Sequence, residues 1–153
     1  MRVTLSEPEH DFVNRLGLAA EAGGYARITG RIWGLLVIVG KPLAAEDIAD
    51  TLQISRASVS TNLKTLQALE LIEPNAKAGD RKTYYGMRDT PYASLIEGRI
   101  KQNAANISTV RKALKSIKRP AARSGLRDLL AFYEVMDKNY TATLAQMMKS
   151  KRT

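Results

Sequence analysis

The residues best suited to chemistry in this 153-residue chain lie between Ser55 and Lys82, and the chemistry they offer is non-covalent. The run Ser55-Arg56-Ala57-Ser58-Val59-Ser60-Thr61-Asn62-Leu63-Lys64-Thr65-Leu66 is rich in hydroxyls and cations, and no acid occurs from Ser55 to Leu69. At about 100° per residue, Val59, Leu63, Leu66 and Leu69 form one apolar stripe. Ala57, Ser58, Thr61, Lys64 and Thr65 then fall on the opposite side, with Arg56 near the N-terminal end. Small hydroxyl side chains let a helix backbone approach a groove closely, and the helix N-terminus itself favours a phosphate. Arg56 suits a guanine edge or a phosphate, whereas Lys64, two turns on, suits the sugar-phosphate backbone. Further along, Lys77-Ala78-Gly79-Asp80-Arg81-Lys82 forms a basic turn in which glycine supplies the backbone freedom. Asp80 is expected to orient Arg81 toward a narrow, strongly negative minor groove. The candidate contacts to double-stranded DNA are therefore Ser55, Arg56, Ser58, Ser60, Thr61 and Lys64, together with Lys77, Arg81 and Lys82.

Other chemistries lack their parts. There is no cysteine, which removes disulfides, thiolate metal sites and thiol nucleophiles together. His10 is the single histidine and stands among Glu7, Glu9 and Asp11, so it is expected to be a solvated surface side chain. No P-loop, dinucleotide glycine pattern, nucleophile elbow or clustered carboxylate pair occurs, and neither an enzyme nor a bound cofactor or metal is expected. The 24 Lys and Arg exceed the 15 Asp and Glu, giving a formal charge of +9 that favours a polyanionic partner. The longest apolar run, Ile32 to Val39, is eight residues, against the ~20 that a membrane span needs. No export signal is evident, so a cytoplasmic protein that does not engage membranes is expected.

The elements that must position these residues are mainly helical. Ser6, Pro8 and Glu9 mark a helix start, and Gly23-Gly24 its end. A second helix, about Arg27 to Val39, is apolar on nearly every side and belongs at the centre of the core. It stops at Gly40-Lys41-Pro42. A short helix from about Ala45 to Leu52 buries Ile48, Ala49 and Leu52. Only two or three residues separate it from the helix that begins after Ser55, an acceptable N-cap, so the two are expected to cross steeply. From Leu71 to Met87 the pattern becomes extended, and Thr83-Tyr84-Tyr85 with the intervening Ala78-Gly79-Asp80 predicts a β-hairpin with a basic tip. The chain is then helical from Pro91 to its end, with one break expected near Pro120 to Gly125. The first of these helices, about Pro91 to Lys118, is ~40 Å long at 1.5 Å per residue. Its apolar positions need a partner, and the last helix offers Leu126, Leu129, Leu130, Tyr133, Met136, Tyr140, Leu144 and Met147. Helices this long after a small globular unit suggest a homodimer interface.

The fold class expected is mainly α with a small β-hairpin wing, a winged helix-turn-helix carrying long helical dimerisation arms. Three regions follow: 1–24, an N-terminal helix joining the dimerisation region; 25–90, the winged helix-turn-helix; and 91–153, the C-terminal dimerisation helices.

The chain resembles the MarR superfamily of winged-helix regulators, and within it the GbsR-type branch. The resemblance is carried by Gly30-Arg31-Ile32-Trp33-Gly34-Leu35-Leu36, Pro42-Leu43 with Ile48-Ala49, and Ser55 to Ser60 with Leu63, Leu66 and Leu71-Ile72. Gly79-Asp80-Arg81-Lys82 with Tyr84-Tyr85 completes it. It spans roughly residues 12 to 90. It implies a homodimeric transcriptional repressor whose recognition helix is Ser55 to Lys64 and whose wing is Lys77 to Lys82. It also implies relief of repression by a small-molecule effector. In the GbsR-type branch one known effector type is a quaternary ammonium, which aromatic faces hold. Tyr25, Trp33, Tyr92 and Tyr133 are the candidates for such a site.

Two further features stay open in the sequence. Arg99, Lys101, Arg111, Lys112, Lys115, Lys118, Arg119, Arg123 and Arg127 make nine bases without an acid between Gly98 and Arg127. A solvated face, a second DNA contact and an anion pocket all fit them. The alternative function is a winged-helix module that binds protein rather than specific DNA. Such a module is expected to expose apolar or acidic residues on its second helix, which Ser55 to Leu69 does not supply.

Overall fold

A computed structural model of the chain describes residues 2–150. Residue 1 and residues 151–153, which the first and last of the expected regions include, lie outside the described residues. The chain divides into two compact units, Met1–Pro91 and Tyr92–Thr153.

The first unit is built on two helices in close contact. α1 (Glu7–Ala22) starts where the sequence places it, with Pro8 in the first turn and the Ser6 amide and hydroxyl both donating to the Glu9 carboxylate at 2.7 and 2.8 Å. Those bonds hold the Glu9 carboxyl below the usual carboxylate range. α2 (Arg27–Val39) ends at Gly40 in the left-handed region, φ 65°. Its Ile32, Leu35 and Leu36 are fully buried, as an almost wholly apolar helix requires. α1 and α2 approach through glycine: a Cβ at Gly30 would stand 2.4 Å from the Leu16 carbonyl oxygen and 2.8 Å from the Gly17 Cα.

β1 (Leu43–Ala44), α3 (Ala45–Leu52) and α4 (Arg56–Ala68) follow. α3 buries Ile48, Ala49 and Leu52, and α4 buries Val59, Leu63 and Leu66. Between them, Gln53 turns the chain in the left-handed region, φ 54°, a conformation unusual for a residue with a side chain. Ser55 caps α4, its hydroxyl accepting from the Ser58 amide at 3.1 Å. β2 (Ile72–Ala76) and β3 (Thr83–Met87) pair antiparallel from Ile72 opposite Met87 to Ala76 opposite Thr83. The strand β1 was not expected. It pairs Leu43 with Tyr85 and Ala44 with Tyr84, giving a three-stranded sheet of order β1-β3-β2. Mainly α with a small β wing, the unit is a winged helix-turn-helix.

A buried polar link fixes α4 on α2. The Thr29 hydroxyl donates to Asn62 Oδ1 at 2.6 Å, and Asn62 Nδ2 donates to the Ser58 carbonyl at 2.7 Å. Thr29→Val leaves the Asn62 oxygen without a donor, so it is expected to destabilise the fold by about 1–3 kcal/mol. The urea midpoint reads this loss, whereas Ser60→Ala on the exposed face is expected to stay within about 0.5 kcal/mol of the parent.

The second unit holds α5 (Pro91–Ser116) and α6 (Pro120–Ser150). The expected break between Pro120 and Gly125 is instead confined to residues 117–119. Pro120 occupies the first helical position, where its missing N–H costs nothing, and Gly125 lies inside α6. Asn103 Nδ2 on α5 donates to the Tyr133 carbonyl on α6 at 2.7 Å, and Arg111 pairs with Glu134 at 3.2 Å. Arg123 donates to the Leu114 and Ile117 carbonyls, capping the end of α5. Among the described residues, α6 contains none that is buried. Leu129, Phe132, Val135 and Met148 on it are 40–56% exposed. No helix among the described residues is long and apolar enough to cross a membrane.

Candidate nucleic-acid interface

The stripe of Val59, Leu63 and Leu66 is buried, so it determines which side of α4 faces outward. Leu69, expected on the same stripe, is half-buried at the helix end. On the outer side Ser55, Arg56, Ala57, Ser60, Thr61 and Lys64 are exposed, and Ser58 and Thr65 are half-buried. The Arg56 side chain is 82% exposed at the first position of the helix. Thr61 and Thr65 donate to the carbonyls of Ala57 and Thr61, at 3.1 and 3.4 Å. Their hydroxyls thus lie along the helix surface with lone pairs open to an incoming donor. The face is low, polar and cationic, with room for a groove wall.

The wing tip is a structured loop. Asp80 donates its amide to the Lys77 carbonyl at 3.0 Å, and Gly79 beside it takes φ 79°. The Asp80 carboxylate accepts from the Tyr84 hydroxyl at 2.7 Å and from the Lys82 amide at 2.9 Å. These bonds, the Tyr84 one foremost, hold the Asp80 carboxyl below the usual range and push the Tyr84 phenol up. The bonds that Asp80 makes therefore order the loop, and the expected orientation of Arg81 by this carboxylate is not among them. Lys77 Nζ sits 4.0 Å above the Tyr84 ring, a cation–π contact. Arg81 is exposed.

Glu46, which sequence reasoning passed over, joins the two halves of this surface. It lies in the first turn of α3, forms an ion pair and hydrogen bond with Lys82 of the wing, and stands 3.9 Å from Arg56 of α4. The Lys82 ammonium holds the Glu46 carboxyl below its ordinary range, and the carboxylate in turn raises the lysine. The structure thus brings Arg56 of the helix set and the wing residue Lys82 to one acid.

The profile of the MarR family matches residues 34–82, from the middle of α2 to the end of the wing tip. The HTH-type transcriptional regulator MmpR5 of Mycobacterium tuberculosis is 33% identical over 136 residues, covering 84% of this chain and 82% of that protein. The chain belongs to the MarR family. A crystal structure of a transcriptional regulator aligns with it at a TM-score of 0.83 and 26% identity, over 93% of this chain and 99% of that one. The MarR match encloses α3, α4 and the tip, the same segment whose side chains form the exposed polar face. MarR proteins are DNA-binding transcriptional regulators rather than enzymes, and this chain is one of them.

The four aromatic residues considered for an effector are divided between the two units. Tyr25, just before α2, and Trp33 on α2 are half-buried in the first unit. Tyr92, 44% exposed, opens α5 in the second. Tyr133 on α6 is level with Asn103 and its ring lies 5.5 Å from that of Phe132. Tyr92 lies eleven positions before Asn103 on α5, roughly 16 Å along the axis. Within this unit, then, Tyr92 and Tyr133 do not form one cage.

Proposed function

We propose that the protein is a homodimeric, ligand-responsive repressor of the GbsR-type branch that binds operator DNA through α4 and the wing. One observation carries the reading: an outward face of hydroxyls and cations on α4, free of acids from Ser55 to Leu69, flanked by a basic wing tip. In this reading α4 enters the major groove, with Arg56 at base edges, Ser55, Ser58, Ser60 and Thr61 lining the approach and Lys64 on the backbone. Lys77, Arg81 and Lys82 reach the flanking minor groove and its phosphates.

Residues 25–90 act as the DNA-binding domain, and residues 1–24 and 91–153 as the dimerisation region. Exposed Phe12 and Leu18 on α1, and the exposed apolar residues of α6, support pairing with a second copy. Repression is favoured over activation because occluding a promoter needs no surface for polymerase. Effector control rests on the family resemblance, with Tyr25, Trp33, Tyr92 and Tyr133 as candidate contacts. A cytoplasmic location follows from the same role.

Arg81→Ala tests the wing assignment. It is expected to lower affinity for operator and random duplex alike and to reduce the salt slope by about 1. Lys149→Ala, far along α6, serves as the control. If Arg81→Ala shifts the binding isotherm no more than that control, the wing does not touch DNA. Footprinting with and without candidate ligands then tests the effector.

A further inference from the structure

We propose that Glu46 is a specificity-determining residue that suppresses sequence-independent binding by holding Lys82 of the wing on the protein and away from DNA phosphates. The inference rests on the DNA reading above and deepens it. Of the two acids on this surface of hydroxyls and cations, Asp80 accepts from the Tyr84 hydroxyl and the Lys82 amide, whereas Glu46 pairs with the Lys82 ammonium, and that lysine side chain is still 54% exposed. The Glu46 side chain is 33% exposed and lies beside an open cleft of about 260 Å³ lined also by Arg56, Lys82 and Tyr85. A phosphate can therefore reach the lysine from the solvent side, where it competes with the carboxylate for the ammonium charge.

Affinity for random DNA is almost wholly the release of counterions by lysines and arginines that meet phosphates. A lysine already neutralised by a carboxylate contributes little to that term. On the operator, base contacts from α4 hold the wing against the duplex long enough for phosphate to replace Glu46. Glu46 thus lowers binding to random duplex more than binding to the operator, and widens the ratio between them. An acid in the first turn of a helix also complements the helix dipole. That role alone gives no coupling to Lys82, which is why the pair must be tested together.

The test is a double-mutant cycle on the full chain, with Glu46→Gln, Lys82→Gln and the double variant titrated against random-sequence duplex over a range of salt. Exposed ion pairs of this kind are weak, so Glu46→Gln is expected to tighten random binding about two- to fivefold. The salt slope is expected to steepen by roughly 0.9 for each wing that gains a phosphate. In the Lys82→Gln background the same change is expected to do much less, because only the weaker neighbour Arg56, at 3.9 Å, is left to gain from it. A Glu46→Gln chain that binds random duplex no tighter than the parent overturns the proposal. So does an equal gain in both backgrounds, which marks a general effect of charge. A parent chain that shifts no duplex at all overturns the DNA reading itself, whereas a parent that binds while Glu46→Gln has no effect overturns this inference alone.

Discussion

Arg56→Ala is expected to weaken binding to the operator by about 1–3 kcal/mol, roughly 5- to 150-fold, while leaving random-duplex binding far less changed. Three features place the effect there. Arg56 is the first residue of α4, directly after the Ser55 cap, so it projects from the positive end of the helix. Its side chain is 82% exposed, and its ionic neighbour Glu46 is at 3.9 Å, too far for a strong bond. The residues around it on the outer face are Ser55, Ala57 and Ser60, all short, so nothing keeps the guanidinium from a base edge. A bidentate arginine–guanine contact discriminates sequence, and its loss falls on the specific complex. This outcome contrasts with Arg81→Ala, whose loss is shared by all sequences. A fluorescence-anisotropy titration against operator and random duplex separates the two, and equal losses on both DNAs remove Arg56 from base readout.

The second large effect concerns the scaffold. Gly30→Val is expected to destabilise the chain by about 3 kcal/mol or more, beyond the usual range for inserting methyl groups into a packed core. A Cβ at Gly30 would stand 2.4 Å from the Leu16 carbonyl oxygen, 2.6 Å from Ala20 Cβ and 2.8 Å from Gly17 Cα. Two of these three atoms belong to the backbone of α1, so no side-chain rotation relieves the clash, and α1 and α2 must separate. For a chain of this size, 3 kcal/mol corresponds to a fall in Tm of roughly 6–12 °C. Gly125→Ala is the matched control, because a Cβ there meets nothing within 4 Å and the residue lies inside α6. That change is expected to raise stability by about 0.5–1 kcal/mol. A Gly30→Val chain that melts with the parent contradicts the packing of α1 on α2.

The contrast between what the sequence disclosed and what it hid follows the range of the interactions. The α4 face was legible because its signal is local: a capping serine, an apolar stripe at helical spacing and a run without acids. The hairpin was legible for the same reason, since its turn residues and β-favouring residues lie next to each other. β1 was not, because two residues carry no periodicity, and Leu43 and Ala44 become a strand only where Tyr85 and Tyr84 offer their backbone. Glu46 was hidden because an acid in a first helical turn has a sufficient local explanation. Its pairing with Lys82, 36 residues away, exists only in the folded chain. Asn62 was hidden likewise: it stands in a polar helix, yet it is buried by its bond to Thr29 of α2. Asp80 shows the opposite failure. Its neighbour in sequence, Arg81, is the partner that local reading suggests, but the hairpin brings the Tyr84 hydroxyl within 2.7 Å of the carboxylate. The glycine and proline at the start of α6 misled for a related reason, since proline begins a helix as readily as it ends one.

The most direct measurement mixes the purified chain with sheared genomic DNA, recovers the bound fragments and footprints them. An α4 face that grips a duplex as a paired unit predicts enrichment of an imperfect palindrome, protected at two half-sites about 34 Å apart on one side of the helix. Fragments recovered no more often than by chance, with no protected site, would contradict it.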